Sequence, residues 1–426
     1  MLRRFWCMLL LLVTTIRVSA AVDRFPWKDG ERIVFLGDSI THAGTYVQYV
    51  DAYLRTRFPE RQIELINLGL SSETVTGLSE PDHPYPRPDL HERIDRVLAQ
   101  ARPNVVVLCY GMNDGIYYPF AEERFAKFRA SIREMVDRIR RSGAQVILMT
   151  PPPFDPGTIA SHLVPAGAPK YSYAAPYADY DATLARYAAW EMTLRSRSQT
   201  VVELHKATWD FMAAVHKDLP GYHLAADGIH PNASGHAIIA RQLLLALHAP
   251  PEADIAEIDA RSEQITNPRI TDLLITPEEI RFHWLSNLPM PIDPQWDEAL
   301  RKHGDLAQTL NRYRLVLHHA PDAHYKIFEG DTLLGETTRI ELERGLDLLR
   351  LPDLSTNRRS LEILKLIQQR ERLMSAAWLT AVGHKRPEVP AGLPLAEARR
   401  QASLIEEQLH RLCQPMNLIL RLVPAR

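Results

Sequence analysis

Short, continuously apolar runs recur along the first 250 positions of this 426-residue chain, most clearly at residues 33–36, 105–109 and 146–149. Residues 63–67 and 201–204 form two more mixed runs of similar length. A strand buried on both faces reads this way, whereas a strand with one wet face alternates. Between the runs, apolar positions fall every three or four residues. Tyr46, Val50, Tyr53 and Leu54 share one helical face, as do Leu90, Ile94, Val97 and Leu98, and Phe128, Ile132, Met135 and Ile139. The alternation predicts an α/β domain over residues 28–249, with a parallel sheet and helices on both sides. In such sheets ligands bind beyond the carboxyl ends of the strands.

Two segments, 71–88 and 151–176, are longer than connections in a compact domain need to be. Both follow strand ends, so both are expected either to wall a cleft, with Tyr171 and Tyr173 as aromatic tips, or to be plain surface loops. Residues 250–275 are polar and charged, open with Pro250-Pro251, and read as a linker. The pattern then changes. Residues 276–426 read as a smaller α+β region: strands at 313–318, 325–328 and 417–423, a turn at Glu329-Gly330-Asp331, and helices at 360–381 and 396–413. Residues 282–291 read as a strap onto the first domain. Packing on that domain is the simplest role for this region; glycan binding or assembly are the others.

Composition changes the picture little. A formal net charge of -2 and a charged fraction of 24% give no reason to expect a nucleic-acid partner. The first residues matter more. Arg3 and Arg4 precede an apolar stretch at 5–16, and Val18-Ser19-Ala20 offers a small-residue cleavage site. Residues 1–20 therefore read as a signal peptide, which implies export to a periplasmic or extracellular location with no stable membrane span afterwards. Cys7 lies in that segment, and Cys109 and Cys413 lie in different regions, so the fold does not read as disulfide-built.

Chemistry enters at the strand ends. Gly37-Asp38-Ser39 follows the first run directly, and Asp227-Gly228-Ile229-His230-Pro231 precedes a helical pattern. A serine hydroxyl becomes a useful nucleophile when a positioned base takes its proton. His230 can be that base, and Asp227, three residues before it, can orient the ring. Pro231 keeps His230 out of helical geometry. Asn67-Leu68-Gly69 follows the second run and Gly111-Met112-Asn113-Asp114 the third. Asn113 carries side-chain N–H donors, as an oxyanion hole needs, and a glycine lets a backbone N–H approach a ligand. His42, His83, His91 and His223 show no metal-ligand spacing, so no metal or cofactor is expected.

Together these four blocks resemble the SGNH (GDSL) hydrolases, whose name-giving residues are matched by Ser39, Gly69, Asn113 and His230, with Asp227 as the accompanying carboxylate. The resemblance covers residues 31–249. It implies a three-layer flavodoxin-like fold and ester hydrolysis by a Ser39–His230–Asp227 triad, with an oxyanion hole from Ser39, Gly69 and Asn113. Asp38, Asp114 and Tyr117 are the expected substrate-binding residues. Tyr110, Tyr117, Tyr118 and Phe120 flank Asn113 and suit stacking on sugar rings or packing of the domain. With export, this favours a small-molecule or polysaccharide ester, and a carbohydrate O-acetyl group above others. A lysophospholipase, thioesterase or aryl esterase would use the same residues, and a glycan-binding or scaffold protein would need none of them.

Overall fold

The computed structural model describes residues 25–425. The expected signal peptide lies outside the described residues. The first domain is a five-stranded sheet of β1 (Arg32–Gly37), β2 (Glu64–Asn67), β3 (Val105–Cys109), β4 (Gln145–Met149) and β5 (Thr200–Val202), in the order β2-β1-β3-β4-β5. Every pair is parallel. Helices α1 (Thr45–Arg57), α2 (Ile94–Ala101), α3 (Glu122–Arg141), α4 (Tyr180–Met192), α5 (His205–Val215) and α6 (Ala233–Ala246) fill the two outer layers. Side chains from the two faces of β1 enter separate cores: Ile33 and Phe35 in one, Val34 and Leu36 in the other. This is the flavodoxin-like strand order, and its direction reverses between β1 and β3. The crevice at that reversal is where such sheets bind ligands. The domain starts ahead of residue 28, since Trp27 is buried and Phe25 stacks on Phe58 at 5.1 Å.

The second half corrects one expectation. Residues 250–275 are not a linker: they hold β6 (Glu252–Asp259) and β7 (Ile270–Ile275). Ala256 and Ile258 point inward while Glu257 and Asp259 alternate outward, and the outward acids made the segment read as polar. With β8 (Ile280–Ser286), β9 (Arg312–His318), β10 (His324–Glu329), β11 (Thr332–Thr338) and a closing strand β12 (Met416–Pro424), they build two facing sheets. One runs β11-β10-β12-β8-β7, entirely antiparallel; the other pairs β6 with β9 in parallel, flanked by two short strands. Trp284 stacks on Tyr313 at 5.4 Å in their shared core. Glu329-Gly330-Asp331 does turn the chain, from β10 into β11. The expected strap is divided: Trp284 belongs to the sandwich, while Leu288 and Met290 pack into the first domain's core.

Two helices, α7 (Ser355–Val382) and α8 (Leu395–Leu412), bind the halves together. Helix α7 contacts α1, β2 and α2. Its Ile363, Leu364 and Ile367 join one core of the first domain, and Ala377, Trp378 and Leu379 join the other. It therefore lies along β2, covering a sheet edge that would otherwise expose unpaired backbone. Tyr49 donates to Asp293 at 2.8 Å and Tyr53 to the Pro250 carbonyl at 2.6 Å, fastening α1 to the same region. Trp378→Ala is expected to destabilise the protein by about 3–5 kcal/mol, because a fully buried indole leaves a cavity. Chemical denaturation measures this; a midpoint unchanged from the parent would mean that α7 does not support the first domain.

Candidate active site

Ser39 follows β1 on a sharp turn. A Cβ on Gly37 would lie 2.7 Å from the Cys109 carbonyl oxygen, so only glycine lets β1 and β3 close up here. Asp38 caps the one-turn helix Ser39–His42, its carboxylate accepting the Ile40 N–H at 3.0 Å. The His230 loop faces it. Gly228, at φ 76°, makes the tight turn that lets Asp227 Oδ1 accept the N–H groups of Ile229 (3.0 Å) and His230 (2.8 Å). Asp227 Oδ2 lies 2.6 Å from His230 Nδ1, and His230 Nε2 lies 2.7 Å from Ser39 Oγ. Hydroxyl, imidazole and carboxylate thus form one continuous hydrogen-bonded line.

The electrostatics suit that line. The Asp227 hydrogen bond raises the His230 pKa above its ordinary value against the opposing effect of burial, with the charges of Asp227 and Asp38 adding to it. Burial would raise the Asp227 pKa, but the hydrogen bonds from the His230 ring, its backbone N–H and that of Ile229 prevail and hold it well below the carboxylate range. Asp227 is therefore an anion fixed at the ring, and His230 is a stronger base than a free histidine.

Asn113 is held from both ends. Its Oδ1 accepts the Tyr117 hydroxyl at 2.9 Å, and its Nδ2 donates to the Glu73 carbonyl at 3.2 Å. That fixes which end is the donor and leaves a second N–H on Nδ2. Asn113 and Ser39 line one cleft of about 370 Å³, together with Ser71, Ser72, His83, Tyr85, Tyr173, His230, Arg386 and Glu388. A larger cleft of about 880 Å³, between α1 and the C-terminal helices, includes none of the residues of the hydrogen-bonded line.

Three sequence expectations are corrected. Gly69 does not line the cleft: its N–H donates to Asn67 Oδ1 at 2.9 Å, and its Cα packs so closely on the Ser39 helix that a Cβ would sit 2.3 Å from His42 N. Asp38 is buried as a cap, its pKa pushed up to about 6 by burial despite the Ile40 N–H. Asp114 is buried, its Oδ1 accepting the N–H groups of Val75 (2.9 Å) and Thr76 (3.0 Å), which ties the 71–88 loop down. Burial pushes its pKa up to about 7. Tyr117 does line the cleft, and its hydroxyl orients Asn113 there. Tyr110 likewise donates to Glu73 at 2.5 Å, and Tyr118 packs on Tyr171 at 5.0 Å.

The residues that replace them come from the long loops and from the second half. His83 and Tyr85 lie on the 71–88 loop and Tyr173 on the 151–176 loop, with His83 and Tyr173 rings 5.6 Å apart. Ser72 is the signal missed in the sequence. It sits at φ 68°, in the left-handed region that serine rarely enters, and among the described residues its N–H has no hydrogen-bond partner. No composition rule marks such a position, because a serine, unlike a glycine, does not signal a left-handed turn.

Residues 35–238 match the family model described as GDSL-like Lipase/Acylhydrolase family, a span running from β1 into α6. An acetylxylan esterase of Geobacillus stearothermophilus is 26% identical over 239 residues, 50% of this chain and 93% of that protein. A gut microbial diltiazem-metabolizing enzyme of known structure superposes with a TM-score of 0.77 at 18% identity, covering 94% of this chain and 99% of that one. At that identity the likeness shows the fold, and it extends over both halves. The protein is a serine carboxylic ester hydrolase. The domain that carries this chemistry belongs to the GDSL-like, or SGNH, hydrolases.

Proposed function

We propose that this enzyme removes O-acetyl groups from carbohydrate, using Ser39 as nucleophile, His230 as base and Asp227 as the carboxylate that orients the ring. The observation that carries the mechanism is the continuous Ser39–His230–Asp227 line, with distances of 2.7 Å and 2.6 Å. His230 Nε2 takes the Ser39 proton as Oγ attacks the ester carbonyl. The tetrahedral oxyanion is met by the N–H groups of Ser39 and Ser72 and by Asn113 Nδ2. Ser39 opens a helix, so its N–H has no partner within that helix. The imidazolium then protonates the leaving sugar hydroxyl. Water, deprotonated by the same histidine, releases acetate and restores Ser39. No step draws on a metal or cofactor.

The substrate class rests on the cleft wall and on a relative. Ser71, Ser72, His83, Tyr85, Tyr173, Arg386 and Glu388 offer hydrogen-bonding groups and aromatic edges, while Pro84 and Ile229 are the purely apolar residues lining the cleft. A cleft of about 370 Å³ with that wall suits a short acyl group on a polyhydroxy carrier and gives a lipid tail little to bury against. A relative named for acetylxylan supports the same reading. Export, expected from residues 1–20, would place the enzyme where polysaccharides are.

An acyl-length and glycan panel tests this. Acetylated oligosaccharides are expected to release acetate, and acetyl esters to turn over about 10²-fold faster than palmitoyl esters of the same alcohol, since each misfitting methylene weakens transition-state binding. Fast cleavage of long-chain lipid esters with no acetate from glycans would overturn the carbohydrate reading and favour a lipid esterase.

A further inference from the structure

Arg386 enters the cleft from the far half of the chain. It sits on the loop between α7 and α8, which is fastened to the hydrolase domain. Gly383, at φ 67°, ends α7, and Arg96 of α2 donates to the carbonyls of Val382 (2.5 Å) and Gly383 (3.3 Å). Lys385 pairs with Glu92. On the return, the Gly392 N–H donates to Thr380 Oγ1 at 2.7 Å. The loop is thus pinned on both sides of Arg386.

From there the guanidinium meets the turn of Ser71 and Ser72. Nη1 donates to the Ser71 carbonyl at 3.1 Å and to Ser72 Oγ at 2.7 Å. The group lies 5.2 Å from the Tyr85 ring centroid, and Glu388 is its acidic neighbour at 3.5 Å. Arg87, held by Glu80 at 2.6 and 2.7 Å, takes the Ser72 carbonyl at 3.3 Å from the other side. Two arginines therefore grip Ser72, which with Tyr117 (φ 61°) is one of two non-glycine cleft residues held in the left-handed region. A serine at φ 68° persists only where its surroundings hold it there, and strain of this kind collects at catalytic sites.

We propose that Arg386 is a positioning residue: the C-terminal region clamps the turn of Ser71 and Ser72 in the left-handed geometry that turns the Ser72 N–H toward the reacting carbonyl. This rests on the reading of Ser72 as an oxyanion donor. It gives the second half of the chain a part in catalysis beyond packing. The N–H matters most when the carbonyl oxygen becomes an anion, so losing the clamp should lower kcat and leave KM nearly unchanged.

The test uses the full chain and p-nitrophenyl acetate. Arg386→Met keeps the stem and removes the fork; kcat is expected to fall about 10-fold or more, approaching the loss of one oxyanion donor, with KM within about twofold. Arg386→Lys, with a single-point donor, should restore part of the rate. Ser72→Gly placed in the Arg386→Met background should restore most of it, because glycine adopts the left-handed turn unaided. A separate readout addresses the donor itself: in a phosphonate adduct of Ser39, the Ser72 amide proton should move downfield. An unmoved amide overturns the donor reading and the clamp with it. A shifted amide with full kcat in Arg386→Met overturns the clamp alone. A loss that Ser72→Gly does not repair assigns Arg386 a general structural role and overturns the proposal. So does a KM rise confined to anionic esters with kcat intact, which would make Arg386 a substrate contact.

Discussion

Ser39→Ala is expected to lower kcat for a short acyl ester by at least about 10⁴-fold while shifting the melting temperature by little. In the proposed mechanism, losing the nucleophile of the Ser39–His230–Asp227 line removes the acyl-enzyme path altogether, leaving the oxyanion donors and binding to give what rate remains. Stability should hold because the Ser39 hydroxyl bonds only to His230 among the described residues, and the helix it opens is capped by Asp38, not by Ser39. Removing one hydroxyl from a partly exposed site belongs with surface substitutions, within about 0.5 kcal/mol. Paired hydrolysis assays and thermal unfolding check both halves of the statement. Turnover retained by the alanine variant would remove Ser39 from the mechanism, and with it the proposed function.

Asp227→Asn should reduce kcat/KM by about 10³–10⁴-fold and also move its pH profile. In the proposed mechanism His230 must be neutral to accept the Ser39 proton, so activity is expected to be lost as pH falls through the His230 pKa. In the native enzyme that pKa is raised above the ordinary histidine value, chiefly by the Asp227 hydrogen bond. Replacing the carboxylate with an amide removes the bond to an anion and its charge. The acid limb should therefore shift to lower pH. Asp38, pushed up to about 6 by burial, remains as the other acid acting on the ring, and its own protonation falls in the same window. Profiles of kcat/KM for both proteins measure the shift. A limb that stays in place would mean that Asp227 does not bear on the ring that takes the proton.

The polar line was legible because its parts are local. Asp227 and His230 are three residues apart, and one loop with glycine between them suffices to join carboxylate and ring. Ser39 and Asn113 were legible because they follow β1 and β3, and a parallel sheet brings the ends of its strands to one edge whatever lies between. Three of the strands stood out because burial on both faces leaves no polar position in the runs 33–36, 105–109 and 146–149.

The second half was read less well, for a related reason. Segment 252–259 alternates small apolar residues with acids, and only pairing with β9 shows that the alternation is a strand and not a linker. Its partner lies some sixty residues onward, from Arg312 paired with Glu252 to His318 paired with Asp259. Residues 282–284 read as part of a strap until β12 closed beside them from the far end of the chain. The aromatics around Asn113 suit either stacking or packing because their number is visible in sequence and their direction is not. Tyr110 turns inward to hold Glu73, while Tyr117 holds Asn113 at the cleft wall.

The sequence alone therefore determined the sheet, the cores on its two faces, and the Ser39, Asn113, Asp227 and His230 positions, because periodicity and short spacing encode them. Only the tertiary structure decided that the Gly69 amide is taken by Asn67 while the Ser72 amide has no partner among the described residues. It also decided that Arg386, more than three hundred residues away in the chain, grips the turn beside Ser39. Whether a backbone N–H is free, and what holds it in place, depends on how distant segments pack, and no local pattern of residue types records that.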